Sequence, residues 1–292
     1  MLRLMKYSAV ENFGDNLNDY ILQQWLGEPV IHVDGSCTSP YLLFIGSLLH
    51  QATENAVVWG SGVIGPSFLP RACPAHIACL RGPLSAGRLA AAGHLEKAQP
   101  LVFGDPALLL KQLPVAQGPQ DKDYDLGIIP HYADHLLFNR HTATGLKRWL
   151  SYWYPEKYLF SDAPKTELVY GKRKIRIIDV HDDCESVIKA MKACRAIASS
   201  SLHGLIVADV LGIPNTWIRF GDNLTGGSFK FVDYMMSTGR YDVEPLAIQG
   251  RIRNRQINLM LQRMDDWHFS FDFEGYASAF NAFMQERKPS IQ

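Results

Sequence analysis

Short apolar runs of strand character alternate with helical runs along almost the whole chain, and that alternation leaves few folds open. Residues 2–7, 30–33, 41–45, 56–59, 77–80 and 101–103 read as strands, with helices expected over about 16–26 and 82–92. Around 112–124 the texture changes: Pro114, Gly118 and Pro119 sit among Gln, Asp and Lys, which reads as a linker. The rhythm then restarts at 126–129. A strand over 174–180 follows, then a helix over 186–194 with Val187, Met191 and Cys194 on one face. A buried strand at 195–198, a helix at 205–211 stopped by Gly212 and Pro214, and a strand at 214–218 complete the series. Repeated βαβ units favour doubly wound parallel sheets. At 292 residues the chain exceeds one ordinary core. The expectation is an α/β protein of two similar lobes, residues 1–115 and 116–292, with a cleft between them. A C-terminal amphipathic helix over about 273–285, with Tyr276, Phe280 and Phe283 on one face, closes the structure. No internal sequence repeat is visible.

Charge and cysteine content narrow the function classes. Acidic and basic residues balance at 29 each, which argues against a nucleic-acid footprint or a strong membrane-surface field. Five cysteines without a C-x-x-C pair fit a reduced, cytoplasmic chain. No apolar stretch approaches the roughly 18 residues of a transmembrane helix. Any membrane contact is therefore expected to be peripheral, at the inner face, through aromatics such as Trp149, Trp153 and Tyr154, for which core packing is the commoner fate. The oligomeric state is left open.

The run Ala198-Ser199-Ser200-Ser201-Leu202-His203-Gly204 lies where a strand hands over to a helix. In open α/β sheets ligands bind at such places, because helix N-terminal N–H groups and the helix dipole face the crevice. His203 follows three hydroxyls and can donate or accept a proton near neutral pH. Ser201 and His203 do not make a serine hydrolase, since there is no G-x-S-x-G elbow. His131 stands at the exit of the 126–129 strand. Lys230 lies between Phe229 and Phe231, a candidate anion ligand or a solvated lysine.

Asn12-Phe13-Gly14-Asp15-Asn16 follows the first strand. Gly14 permits close approach, and the Asn and Asp groups suit sugar hydroxyls; the plainer reading is a turn capped by Asp15 or Asn16. Gly60 and Ser61 belong to a glycine-rich turn that either cradles a ligand or only bends the chain, and it is not a dinucleotide fingerprint. Arg81 ends a strand just before Gly82-Pro83, where a guanidinium can grip a carboxylate or phosphate. Asp105 fixes the turn before Pro106. His131 with His135, and His181-Asp182-Asp183, lack convincing metal spacing, so no metal is expected.

In combination and order these motifs resemble the polysaccharide pyruvyl transferase family. The resemblance is carried by Asn12 to Asn16, Arg81 to Ser85, Gly104-Asp105-Pro106, Ile129-Pro130-His131, Ser199 to Ala208, and Phe229 to Tyr234, and it covers nearly the whole chain. It implies two Rossmann-like lobes similar to GT-B glycosyltransferases, and transfer of pyruvate from phosphoenolpyruvate to two sugar hydroxyls as a cyclic ketal. It implies no cofactor beyond that donor substrate, and a sugar acceptor in a polysaccharide repeat or its precursor, lipid-linked or free. The N-terminal lobe would take the acceptor through Asn12, Gly14, Asp15, Asn16, Gly60 and Ser61. The C-terminal lobe would take the donor through His131, Ser200, Ser201, Gly204 and Lys230, with His203 and Arg81 catalytic. Family members often carry Arg-Leu-His where this chain has Ser201-Leu202-His203. The histidine is retained, and the cationic role falls to Arg81, Lys230 or Arg219. The alternatives are a nucleotide-sugar glycosyltransferase of GT-B architecture and a non-catalytic glycan-binding subunit.

Overall fold

The computed structural model describes residues 1–95, 101–142, 167–222, 224–241 and 243–292. Trp149, Trp153 and Tyr154 lie outside the described residues. The chain divides into two compact units: Met1–Gln117 with Thr225–Val243 and Ser270–Gln292, and Gly118–Leu224 with Glu244–Phe269. Two later segments, on the C-terminal side of a boundary at 115/116, thus belong to the first unit.

The first unit is built on strands β1 (Leu2–Met5), β2 (Val30–His32), β3 (Tyr41–Leu43), β4 (Ala56–Trp59), β5 (His76–Leu80) and β6 (Val102–Phe103). They pair in the order β2-β1-β3-β4-β5-β6, all parallel. β3 and β4 are buried along their whole length, which is why each reads as an unbroken apolar run, whereas edge strand β2 is largely exposed. Helix α1 (Phe13–Leu26) connects β1 to β2, and α2 (Pro83–Ala91) follows β5 with Pro83 in its first turn. Helix α1 starts three residues earlier than expected. Its cap is Asn12, whose side chain accepts from the Asp15 N–H at 3.2 Å, in place of Asp15 or Asn16. Asp105 behaves as expected: its carboxylate accepts from the Ala107 N–H at 2.9 Å and opens the 3-10 segment Pro106–Gln112.

The second unit repeats the same order. Strands β7 (Leu126–Ile129), β8 (Glu167–Tyr170), β9 (Arg173–Ile177), β10 (Ile197–Ser199), β11 (Asn215–Arg219) and β12 (Leu246–Ala247) pair as β12-β11-β10-β7-β9-β8. β8 is antiparallel to β9, and the other pairs are parallel. With that edge strand set aside, each sheet has its first strand between its second and third, the flavodoxin-like arrangement. Helix α3 (His135–Thr142) follows β7, α4 (Cys184–Lys192) follows β9, and α5 (Leu202–Val210) follows β10. Apolar residues Leu126, Ile128, Ile175, Ala198 and Ile218 of the sheet meet Ile257 and Met260 of α7 (Asn254–Gln262) in one core.

Helix α6 (Phe229–Ser237) and α8 (Phe273–Ile291) complete the first unit. The expected closing helix is present and runs longer than 285. Its Tyr276, Phe280 and Phe283 rings surround Trp59 with centroids 5.7, 5.3 and 4.9 Å away. All five cysteines are free. Among the described residues no helix is long and apolar enough to cross a membrane.

Candidate functional site

In a sheet of this order the chain leaves the first strand in one direction and the third in the other, opening a crevice at their carboxyl ends. Each unit has one such switch point, β1/β3 in the first and β7/β10 in the second. Asn12, Gly14, Asp15 and Asn16 lie at the first, and His131, Ser200, Ser201, His203 and Gly204 at the second.

At the second switch point, β10 ends at Ser199 and α5 begins at Leu202, so His203 lies in the first helical turn and Ser201 is the N-cap residue. The three serines divide their work. Ser199 Oγ donates to the Ile129 carbonyl at 3.1 Å and lies 2.8 Å from the Ser201 carbonyl oxygen, while accepting from the Ser201 N–H at 3.0 Å. Ser200 N–H donates to the Ile129 carbonyl at 3.0 Å, and its Oγ accepts from the His131 N–H at 2.9 Å. A Cβ on Gly204 would stand 2.4 Å from Ser199 Oγ, so this position has no room for a side chain while the serine holds its place. The exits of β7 and β10 are thereby fastened together, and His131 and His203 are presented beside the positive end of α5. Burial distinguishes the predicted residues here: Ser200 and Ser201 are buried, whereas His131 and His203 retain access to solvent. Arg219 ends the neighbouring strand β11 and pairs with exposed Asp222 at 3.3 Å.

At the first switch point Asn12 donates to Asp15 Oδ2 at 2.6 Å and to the Val10 carbonyl at 3.0 Å. Asn18 is wholly buried and clasps the exit of β3, accepting from the Ile45 N–H at 2.9 Å and donating to the Ile45 carbonyl at 3.1 Å. This clasp brings Asp15 and Gly46 together; a Cβ on Gly46 would lie 4.0 Å from Asp15 Oδ1. Burial pushes the Asp15 carboxyl up to about 6, against the opposing pull of the Asn12 hydrogen bond and the charges of Lys230 and Lys6. A carboxyl that titrates so near neutrality can both accept and return a proton. Gly14 is buried at the start of α1, and Asn16 donates its N–H to the Asn12 carbonyl at 3.0 Å.

Three sequence expectations receive different geometry. Arg81 is 1% exposed, so its guanidinium is part of the interior. Nε donates to Asp233 Oδ2 at 3.0 Å, one terminal nitrogen to Ser47 Oγ at 2.6 Å and the other to the Val63 carbonyl at 2.7 Å. It is a buried, charge-compensated organiser of the loops after β3, β4 and β5 in place of an anion grip. Gly60 and Ser61 are likewise buried: Pro106 packs 2.4 Å from where a Gly60 Cβ would be, and Ser61 Oγ donates to the Gly46 carbonyl at 3.0 Å. Their turn shapes the crevice wall. Lys230 lies on α6 in the first unit with Asp15 as an electrostatic neighbour, whereas His203, with which it was grouped, belongs to the second unit.

Sequence reading missed Asn18 and Asp233 as organising residues. It also missed that His135, Asp179 and His181 converge, with one potential ligand atom from each lying within 4.8 Å of the others. Burial holds His135 below the usual histidine range. Burial raises Asp179, but the His181 hydrogen bonds and nearby His135 outweigh it, leaving the carboxyl below its usual range.

The sequence model of polysaccharide pyruvyl transferases matches residues 12–222, from the cap of α1 past the end of β11. The chain belongs to the polysaccharide pyruvyl transferase family. An uncharacterised protein of Acanthamoeba polyphaga mimivirus is 29% identical over 232 residues, 78% of this chain and 71% of that protein. The succinoglycan biosynthesis protein ExoV of Rhizobium meliloti is 26% identical over 235 residues. That match covers 78% of this chain but 62% of ExoV, less than two thirds of its length. A crystal structure of a functionally uncharacterised Klebsiella pneumoniae protein aligns with a TM-score of 0.39 and 10% identity, covering 85% of this chain and 93% of that one.

Proposed function

We propose that this pyruvyl transferase moves pyruvate from phosphoenolpyruvate onto two hydroxyls of a sugar in a polysaccharide repeat or its precursor, releasing phosphate. The observation that carries the reading is His203 in the first turn of α5, at the β7/β10 switch point, within the matched family region. Helix N-termini favour anions, and phosphoenolpyruvate brings a carboxylate and a phosphate. Arg219 supplies a cation at the same edge of this unit. His203 gives a proton to the donor's methylene carbon, which becomes the methyl group, as one sugar hydroxyl bonds to the adjacent carbon. The second hydroxyl then displaces phosphate from that carbon and closes the ketal, and both hydroxyl protons leave to base. Asp15, with its carboxyl near neutrality, and Asn12 and Asn16 contact the acceptor. No cofactor is needed for this balance. A polysaccharide acceptor is in keeping with the name of ExoV; the protein works where that acceptor is made, at the inner face of the membrane if the acceptor is lipid-linked.

The test is the melting temperature with millimolar phosphoenolpyruvate, beside UDP- and GDP-sugars. A ligand at about 100 times its Kd stabilises by roughly 2.7 kcal/mol. A shift with phosphoenolpyruvate that shrinks in Arg219→Ala supports the reading. A shift with nucleotide sugars alone overturns it in favour of a glycosyltransferase.

A further inference from the structure

On the other side of β7 from the Ser199–His203 turn, the exits of β7 and β9 enclose a second feature. His135 opens α3 after β7, while Asp179 and His181 follow β9 on one turn. The His181 N–H donates to Asp179 Oδ1 at 3.0 Å and its ring Nδ1 lies 2.8 Å from the same oxygen. His135 Nε2 approaches that oxygen at 3.8 Å, and the two imidazoles meet edge-on with centroids 5.0 Å apart. His135 and Asp179 also line a pocket of about 90 Å³ together with Pro130, Phe138, Asp182 and Ser186.

We infer that His135, Asp179 and His181 form a binding site for one divalent transition cation of the zinc class. Two ligand atoms at about 2.1 Å from a tetrahedral centre stand about 3.4 Å apart, and the observed 2.8 and 3.8 Å bracket that separation. Two imidazoles with one carboxylate favour zinc, cobalt or nickel over magnesium or calcium, which prefer all-oxygen shells. Three protein ligands leave a fourth position for water or a pocket-bound group. This site is separate from the pyruvyl-transfer reading, and its test does not use activity.

The experiment uses untagged, chelator-stripped full-length protein carrying Cys37→Ser and Cys73→Ser, which removes the partly exposed and exposed thiols as rival ligands. Zinc chloride is titrated calorimetrically, and cobalt(II) is followed by its visible d–d absorption. The expected result is one metal per chain, a nitrogen- and oxygen-type cobalt spectrum, and affinity falling by more than about 100-fold in both His135→Ala and His181→Ala, since losing an outer-shell partner alone costs about 10–100-fold. His268→Ala, an exposed histidine elsewhere, serves as the surface control and should bind as the parent does. His181 is exposed, so its replacement leaves the fold intact, which circular dichroism verifies. Absence of binding, or binding that survives both replacements, overturns the site.

Discussion

Asp233 neutralises Arg81 from 152 positions further along the chain, through a 3.0 Å ion pair between side chains 0% and 1% exposed. Asp233 is itself held by the Ser85 N–H at 3.0 Å and the Ser85 hydroxyl at 2.6 Å. The sequence makes room for this pair with glycine: a Cβ on Gly62 would lie 2.4 Å from the guanidinium carbon, and one on Gly82 would lie 1.9 Å from the Asp233 carbonyl oxygen. Removing one partner of a buried pair leaves an uncompensated charge and costs about 3–5 kcal/mol. Asp233→Ala should therefore lower the urea midpoint strongly. Replacing both partners, Arg81→Met with Asp233→Leu, should recover much of the loss. Equal loss in the single and double variants would show that the charge pair is not what the site requires.

Asp15 links stability to pH in the opposite sense from a salt-bridged carboxylate. Its carboxyl stands near 6 against an ordinary 3.8, so between those values the folded chain holds more protons than the unfolded one. The stability contributed by this group therefore falls as pH rises through that window. Asp15→Asn removes the titration. The variant should melt higher than the parent at pH 7.5, with the gap closing towards pH 4, and should lose acceptor turnover. Melting curves across pH decide it; a gap that does not vary with pH would refute the burial argument.

His203→Ala should cut phosphate release from phosphoenolpyruvate and acceptor by about 10²–10⁴-fold if the imidazole transfers a proton. Circular dichroism should match the parent, so that the loss reports on the chemistry and not on the fold. Near-normal turnover would remove it from the chemistry.

Gly204→Ala should destabilise by about 1–3 kcal/mol through overpacking. The clash is with Ser199 Oγ at 2.4 Å. Ser199→Ala removes that atom, so the two replacements should be less than additive. A double-mutant cycle with a coupling of about 0.5–3 kcal/mol checks it; strict additivity would mean the two residues do not share this contact.

The parallel sheets were legible because buried central strands such as β4 and β7 are unbroken apolar runs and the intervening helices carry one-sided patterns. Edge strand β8 escaped notice because Glu167–Tyr170 alternates exposed and half-buried residues and leaves Val169 largely in solvent. Helix α6 was hidden by Phe229-Lys230-Phe231, an alternation that resembles a strand until Tyr234 and Met235 turn inward. The placement of Asn12, Asp15, His131 and His203 at strand exits was legible from the runs that precede them. Burial of Arg81 does not follow, because its counter-charge comes from a distant segment. Convergence of His135 with Asp179 and His181 is equally invisible to spacing, since the groups leave two neighbouring strands far apart in sequence.

The first unit is assembled from three separated stretches of chain, the second of which carries Asp233 and the third the aromatic face over Trp59. Heredity therefore has to treat this lobe as one package. A recombination event that exchanged residues 1–117 alone would inherit a guanidinium charge sealed in the interior without its counter-charge and a tryptophan without its cover. Changes that leave this lobe folded are then reached more readily by point substitutions than by swapping the first stretch between relatives.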